Sequence, residues 1–163
     1  IPMESLRGVF VTHDHADHTH GIDDLRQLFH AQGSELDLYM DQPTRSGLRT
    51  RFPYVFAGRE GYAATAKAHL LQPEMQFGPL TVRPFRQHHG PIQSMGFRFE
   101  CGSKAIAYST DVNAIPEESW PLLQGLDLWV VDALRRNPHP THSHLSQTLE
   151  WIERGKVRMM LET

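Results

Sequence analysis

Seven consecutive residues, Thr12-His13-Asp14-His15-Ala16-Asp17-His18, hold three imidazoles and two carboxylates directly after the apolar run Val9-Phe10-Val11. Neutral imidazole and carboxylate oxygen suit divalent zinc, manganese or iron. The spacing sets which side chains can share an ion. His13 and His15 are two residues apart, so an extended or tightly looped backbone points them the same way. Asp17 and His18 follow after the chain has turned and can face a second ion nearby. One ion on the first pair and another on the second is the arrangement a two-metal hydrolase requires.

His13-x-His15-x-Asp17-His18 behind a short apolar strand resembles the signature of the metallo-β-lactamase fold superfamily. The continuation Thr19-His20-Gly21-Ile22-Asp23-Asp24-Leu25-Arg26 resembles one branch of it, which holds the phosphoribosyl cyclic phosphodiesterases of phosphonate breakdown, with tRNase Z more distant. The resemblance runs from about residue 1 to the C-terminus and is loose between about 42 and 75. It implies an α/β fold, the layered αββα sandwich, over a single metallo-hydrolase domain spanning residues 1–163. Relatives carry further strands and a helix before the motif and another His after the last strand. A chain that opens at Ile1-Pro2 and stops at Thr163 is therefore expected to be truncated at both ends.

The same resemblance supplies the remaining ligands. In His88-His89-Gly90 it assigns the ligand role to His89, through the alignment of Pro84 and Gly96-Phe97. Asp111, after Tyr108-Ser109-Thr110, takes the bridging role between the ions. One ion would have His13, His15, His89 and Asp111, and the other Asp17, His18 and Asp111, a set short of the His expected beyond Thr163. Two divalent ions are implied, zinc or manganese, with iron also accommodated. His142, in Pro140-Thr141-His142-Ser143-His144, matches a His that serves relatives as general acid or stabilises the phosphoryl oxygens. Asp17 is grouped with it as catalytic. Asp132 would orient His142 or cap a strand. Arg135 and Arg136 could reach a phosphate, although paired arginines on a loop are usually just solvated. His20 reads as a supporting group, and Asp14 as facing solvent or neighbouring backbone. His30, His69 and His139 receive no role.

Bulk composition narrows the partners. With 39% hydrophobic and 21% charged residues the chain is ordinary for a globular protein able to bury a core. A net charge of −3, with 11 His uncounted, offers no basic field for nucleic acid. A small phosphorylated substrate is expected, and a polynucleotide is not. Cys101 is the only cysteine, so no internal disulfide forms and a reducing cytoplasm is the expected setting. No apolar stretch approaches a membrane span. Exposed strand edges would invite pairing with a second copy as a homodimer.

The elements that must position these residues follow from periodicity. A strand over Gly8–Thr12 ends at the ligands. Ile22, Leu25, Leu28 and Phe29 recur at helical spacing. Leu36–Met40 alternates as a strand, Gln42 to about Arg51 reads as a helix, and Phe52–Pro73 as a variable insertion or loop. Strands are expected over Leu80–Phe85, Ser94–Glu100 and Lys104–Ser109, with a turn at Cys101-Gly102-Ser103. A short helix over Pro116–Leu123 precedes the apolar run Leu126–Val131, expected to be covered on both faces. Leu145, Leu149 and Ile152 form a helical stripe with Ser143 as N-cap, and Val157–Leu161 closes as a strand.

These residues imply metal-dependent hydrolysis of a small phosphodiester, including cyclic ones, by a hydroxide bridging the two ions, with His142 assisting the leaving alkoxide. Two alternatives stand beside it. A thioester, lactone or β-lactam hydrolase on the same fold would have less need of His142. A non-catalytic metal-binding fragment would bind about one ion and turn nothing over.

Overall fold

The computed structural model describes residues 5–162, with side chains described through residue 159. Ile1-Pro2 and Thr163, on which the expectation of truncated ends rests, lie outside the described residues. The chain divides into two compact units, Ile1–Leu71 and Gln72–Thr163, and both mix helices with strands. Among the described residues, no helix is long and apolar enough to cross a membrane.

In the first unit, β1 (Val9–Phe10), β2 (Leu36–Met40) and β3 (Ala66–Leu70) form a parallel sheet in that order. Alternation in β2 buries Leu36, Leu38 and Met40 on one face and leaves Asp37 and Tyr39 half-buried on the other. The connections are helical: α1 (Ala16–Thr19), a 3-10 turn over His20–Asp24, α2 (Leu25–Gln32), α3 (Gln42–Arg51) and α4 (Pro53–Ala57). Asp41 starts α3 by accepting the Thr44 N–H at 3.0 Å, with proline in the first turn where a missing N–H costs nothing. Thr44 and Leu48 face inward, and Leu48 joins Val11, Ile22, Leu38, Met40 and Val55 in the core.

Phe52–Pro73 is not a loop. It contains α4 and the parallel strand β3, whose residues Ala66-Lys67-Ala68-His69-Leu70 are largely half-exposed. A strand at the margin of a sheet, with one face wet, carries little of the apolar signal that marks a buried parallel strand.

The second unit is a mixed sheet ordered β4 (Met75–Phe77), β5 (Leu80–His89), β6 (Ile92–Cys101), β7 (Lys104–Ser109), β8 (Leu128–Val131) and β9 (Met160–Glu162). Pairing is antiparallel from β4 to β7 and parallel from β7 to β9. Pro84 is tolerated inside β5 because β4 begins only at Met75, opposite Val82, and leaves Pro84 unpaired on that side. A 3-10 segment, Glu117–Leu123, precedes β8, and α5 (Leu145–Gly155) precedes β9.

Two details correct the sequence reading. β8 buries Trp129 and Val131 completely but leaves Leu128 and Val130 half-exposed, so it is not covered on both faces. The inward stripe of α5 runs through Thr148, Ile152 and Gly155, while Leu149 is 49% exposed. The core gathers around Trp129, whose Nε1–H donates to Ser109 Oγ at 2.9 Å and whose ring meets Trp120 edge-on.

Candidate metal centre

The first unit presents the motif at the C-terminal end of β1. His13 is 1% exposed, with Thr12 Oγ1 at 3.0 Å from its Nδ1. His15 is the extended N-cap of α1, and its carbonyl accepts the Thr19 hydroxyl at 2.8 Å, closing that short helix beneath it. The turn brings the His13 ring to 4.6 Å from His15 and 4.3 Å from His18. His18 Nε2 lies 3.4 Å from Asp17 Oδ2, on a side chain that is 78% exposed. Imidazole nitrogens gathered this closely are ligands of the kind a divalent cation takes.

Asp14 does not simply face solvent. Arg51 Nη2 donates to its carbonyl at 2.7 Å and to its Oδ2 at 3.0 Å. His20 packs edge-on to Phe52 rather than joining the cluster. His69 pairs with Asp37 at 2.7 Å and stacks on Tyr39, whose hydroxyl pKa is raised by burial and by Asp37.

The second unit positions its groups from three strand ends. Beyond Phe85, β5 alternates strictly: Phe85, Gln87 and His89 are buried while Arg86 and His88 are exposed. The pleat therefore separates His89 from His88. The His89 Nδ1–H donates to the Thr141 carbonyl at 2.7 Å, which leaves Nε2 as the lone-pair nitrogen, 3.4 Å from Asp111 Oδ2. A metal-ligating His characteristically spends its other N–H this way. Gly90 permits the approach: it holds φ +57°, and a Cβ there would stand 2.5 Å from Thr141 Cγ2.

Asp111 follows β7 with φ +50°, a left-handed backbone that Asp tolerates better than most residues. Thr110 Oγ1 donates to its Oδ1 at 2.9 Å and Ser94 Oγ to its carbonyl at 2.8 Å, leaving Oδ2 toward the imidazoles. His142 Nε2 is 3.8 Å from that oxygen. The His142 Nδ1–H donates to Asp132 Oδ2 at 2.8 Å, and the same carboxylate oxygen accepts the Val112 N–H at 3.2 Å. The Asp132 carbonyl takes the hydroxyls of Ser143 and, at 2.7 Å, Thr148. Of the two roles the sequence left open for Asp132, its carboxylate takes the first, orienting His142, while its backbone carbonyl holds the start of α5. With its proton on Nδ1, His89 turns the Nε2 lone pair toward Asp111 Oδ2, so that two electron-pair donors converge. That donor chemistry fits a divalent cation.

Neighbouring residues have other tasks. Ser143 is drawn to Asp132, so the N-cap of α5 is His144, which accepts the Gln147 N–H at 3.4 Å. The Arg135 guanidinium is occupied by the carbonyls of Asn137 and Pro138, and Arg136 is exposed. His139 packs 5.1 Å from His142, and desolvation followed by Arg135 lowers its pKa. Sequence reasoning passed over Asn113, whose Oδ1 accepts the Gly90 N–H at 2.9 Å and whose Nδ2 donates to the Pro140 carbonyl. Its nearness to Asp111 in sequence was the available signal.

Comparison with known proteins agrees. The family model described as "Beta-lactamase superfamily domain" matches residues 2–163. An octanoyltransferase of Porphyromonas gingivalis is 33% identical over 155 residues, covering 92% of this chain and 30% of that protein. A solved diphosphatase of the PhnP family is 31% identical with a TM-score of 0.84, covering 97% of this chain and 59% of the other. The metallo-β-lactamase fold protein YhfI of Bacillus subtilis, 20% identical with a TM-score of 0.81, shares the fold across 100% of this chain and 66% of its own. The chain thus spans less than two thirds of the first two proteins. By motif, fold and family match, it belongs to the beta-lactamase superfamily domain family, within the metallo-β-lactamase fold superfamily.

Proposed function

We propose that the chain serves metal-dependent hydrolysis of a small phosphodiester, including cyclic ones, with two divalent ions, zinc or manganese, iron also being accommodated. The reading is carried by one observation: Asp132 holds Nδ1 of His142 while Nε2 faces Asp111 Oδ2 at 3.8 Å. We assign His13, His15, His89 and Asp111 to one ion and Asp17, His18 and Asp111 to the other, as the family resemblance implies. When bound, such ions polarise the phosphoryl oxygen and make a bound water acidic near neutral pH.

The chain's own residues supply the rest. His142, protonated at Nε2, donates a proton to the departing alkoxide, and Asp132 stabilises the imidazolium and keeps its ring in line. Asp17, exposed on α1, orients the attacking water. The net charge of −3 favours a small substrate over a polynucleotide.

The test is metal content together with hydrolysis of bis(p-nitrophenyl) phosphate in zinc or manganese. About two ions per chain, with turnover lost in Asp111→Ala, supports the reading. One ion or none, with no turnover, overturns it in favour of a metal-binding fragment.

A second reading rests on a cavity of about 270 Å³ within the first unit. Val9, Val11, Ile22, Leu25, Leu38 and Leu48 line it alongside Asp17 and His18. An apolar acyl chain suits such a lining, and one relative is named for octanoyl transfer. An ester or thioester hydrolase of this kind would show a KM that falls as the acyl chain lengthens, and full activity in His142→Ala.

A further inference from the structure

We infer that Arg51 and Gly47 of α3 clamp Asp14 and thereby position the imidazoles of His13 and His15 for metal binding, an inference that rests on the metal-binding part of the reading above. Asp14 is the residue between those two ligands. One guanidinium nitrogen of Arg51 grips it twice, at the carbonyl (2.7 Å) and at Oδ2 (3.0 Å). The carbonyl contact fixes the peptide that leads directly into His15, so the grip acts on the backbone that sets one imidazole relative to the other.

An ion pair between half-exposed side chains is ordinarily a weak and replaceable contact, and these two are 36% and 40% exposed. Gly47 makes this one different. Glycine is a poor helix former, yet it occupies the interior of α3. A Cβ at that position would stand 2.2 Å from Asp14 Oδ2 and 3.3 Å from its Cγ. Gly47 and Arg51 are four apart and share a helix face, so one supplies the space and the other the grip. The Phe52 ring braces the guanidinium, with Cζ 5.7 Å from its centroid. The base is firm, because α3 is capped by Asp41 and anchored by buried Thr44 and Leu48.

The experiment measures zinc affinity by competition with a chromophoric chelator, the absorption spectrum with cobalt, and the denaturation midpoint of the metal-free full chain. Gly47→Ala is the sharpest variant, since alanine improves the helix but displaces the Asp14 carboxylate. The expected result is an unchanged or higher midpoint with zinc binding weakened about 10–100-fold, the usual range for groups that orient ligands. Arg51→Ala should lose affinity similarly and Arg51→Lys less. In an Asp14→Ala background, Gly47→Ala should cost nothing further, because its target is gone. Wild-type affinity and an unaltered cobalt spectrum in both Gly47→Ala and Arg51→Ala would overturn the clamp alone. A wild-type chain that binds no zinc would overturn both the clamp and the metal reading. Zinc binding without phosphodiester turnover would leave the clamp standing and remove only the proposed reaction.

Discussion

The Nδ1–H of His142 reaches Asp132 Oδ2 at 2.8 Å, a bond that joins the end of β8 to the segment entering α5 and ends on a residue that is 4% exposed. A buried acceptor so placed fixes which ring nitrogen is left to face Asp111. If that nitrogen delivers a proton to the leaving group, the effect of His142→Ala must depend on how badly the leaving group needs one. Phosphodiesters with alkoxide leaving groups should slow by about 10²–10⁴ in kcat. Those releasing p-nitrophenolate, which departs unaided, should slow far less. Asp132→Asn should follow the same ranking with a smaller loss, about 10–100-fold on the alkoxide substrate. Equal losses on both substrates would remove the proton-donor assignment.

The left-handed backbone at Asp111 gives a prediction about stability that is separate from metal. Asn accepts φ +50° as readily as Asp, whereas a β-branched residue does not. In metal-free chains, Asp111→Val should be less stable than Asp111→Asn by about 1–2 kcal/mol, read from denaturant midpoints. Both should have lost metal. Equal midpoints would mean that the backbone there relaxes freely.

Gly90 links backbone to ligand in the same way. Gly90→Ala places a Cβ against Thr141 Cγ2 at a positive φ, which should cost about 1–3 kcal/mol. Because the Thr141 carbonyl receives the His89 Nδ1–H, the displacement should also weaken zinc binding. Calorimetric titration of zinc into the variant reads that second effect directly.

Acid sensitivity should be visible far from the centre. Asp127 has its pKa lowered, first by the hydrogen bond from Lys104 and then by the Ala105 N–H. A carboxylate whose folded pKa is depressed stabilises the fold above its unfolded value and loses that contribution as pH falls through the folded value. Asp127→Asn should therefore be less stable than the wild type near pH 7, with the gap closing as the pH drops below the ordinary carboxylate range. Denaturant midpoints across that interval would show the convergence. A gap independent of pH would assign the loss to the amide contact alone.

The motif was legible because its four residues of ligand type fall within six positions, from His13 to His18, and need only one turn of chain to approach one another. His89 and Asp111 required the family resemblance, since a single His after a strand or a single Asp before a turn has many uses. The pleat of β5 then separates His89 from His88 by burial alone. Other relationships leave no local trace. Arg51 grips Asp14 across 37 residues, and nothing in either neighbourhood announces the other. Ser143 has the side chain of a helix cap, but a buried carbonyl at Asp132 draws it away and leaves the position to His144. β3 stayed hidden for the opposite reason, because its half-wet residues carry too little apolar signal to mark a strand.

The hairpin joining β6 to β7 turns at Cys101, which is exposed and is the chain's only cysteine. β7 runs away from that turn and ends just before Asp111. At about 3.3 Å per residue, the thiol therefore sits roughly 20 Å from the carboxylate. A nitroxide or dye attached there has a single address within these 163 residues and stands clear of Asp111. Manganese, being paramagnetic, would then be located by its effect on that label, which turns the sole thiol into a ruler for the ion.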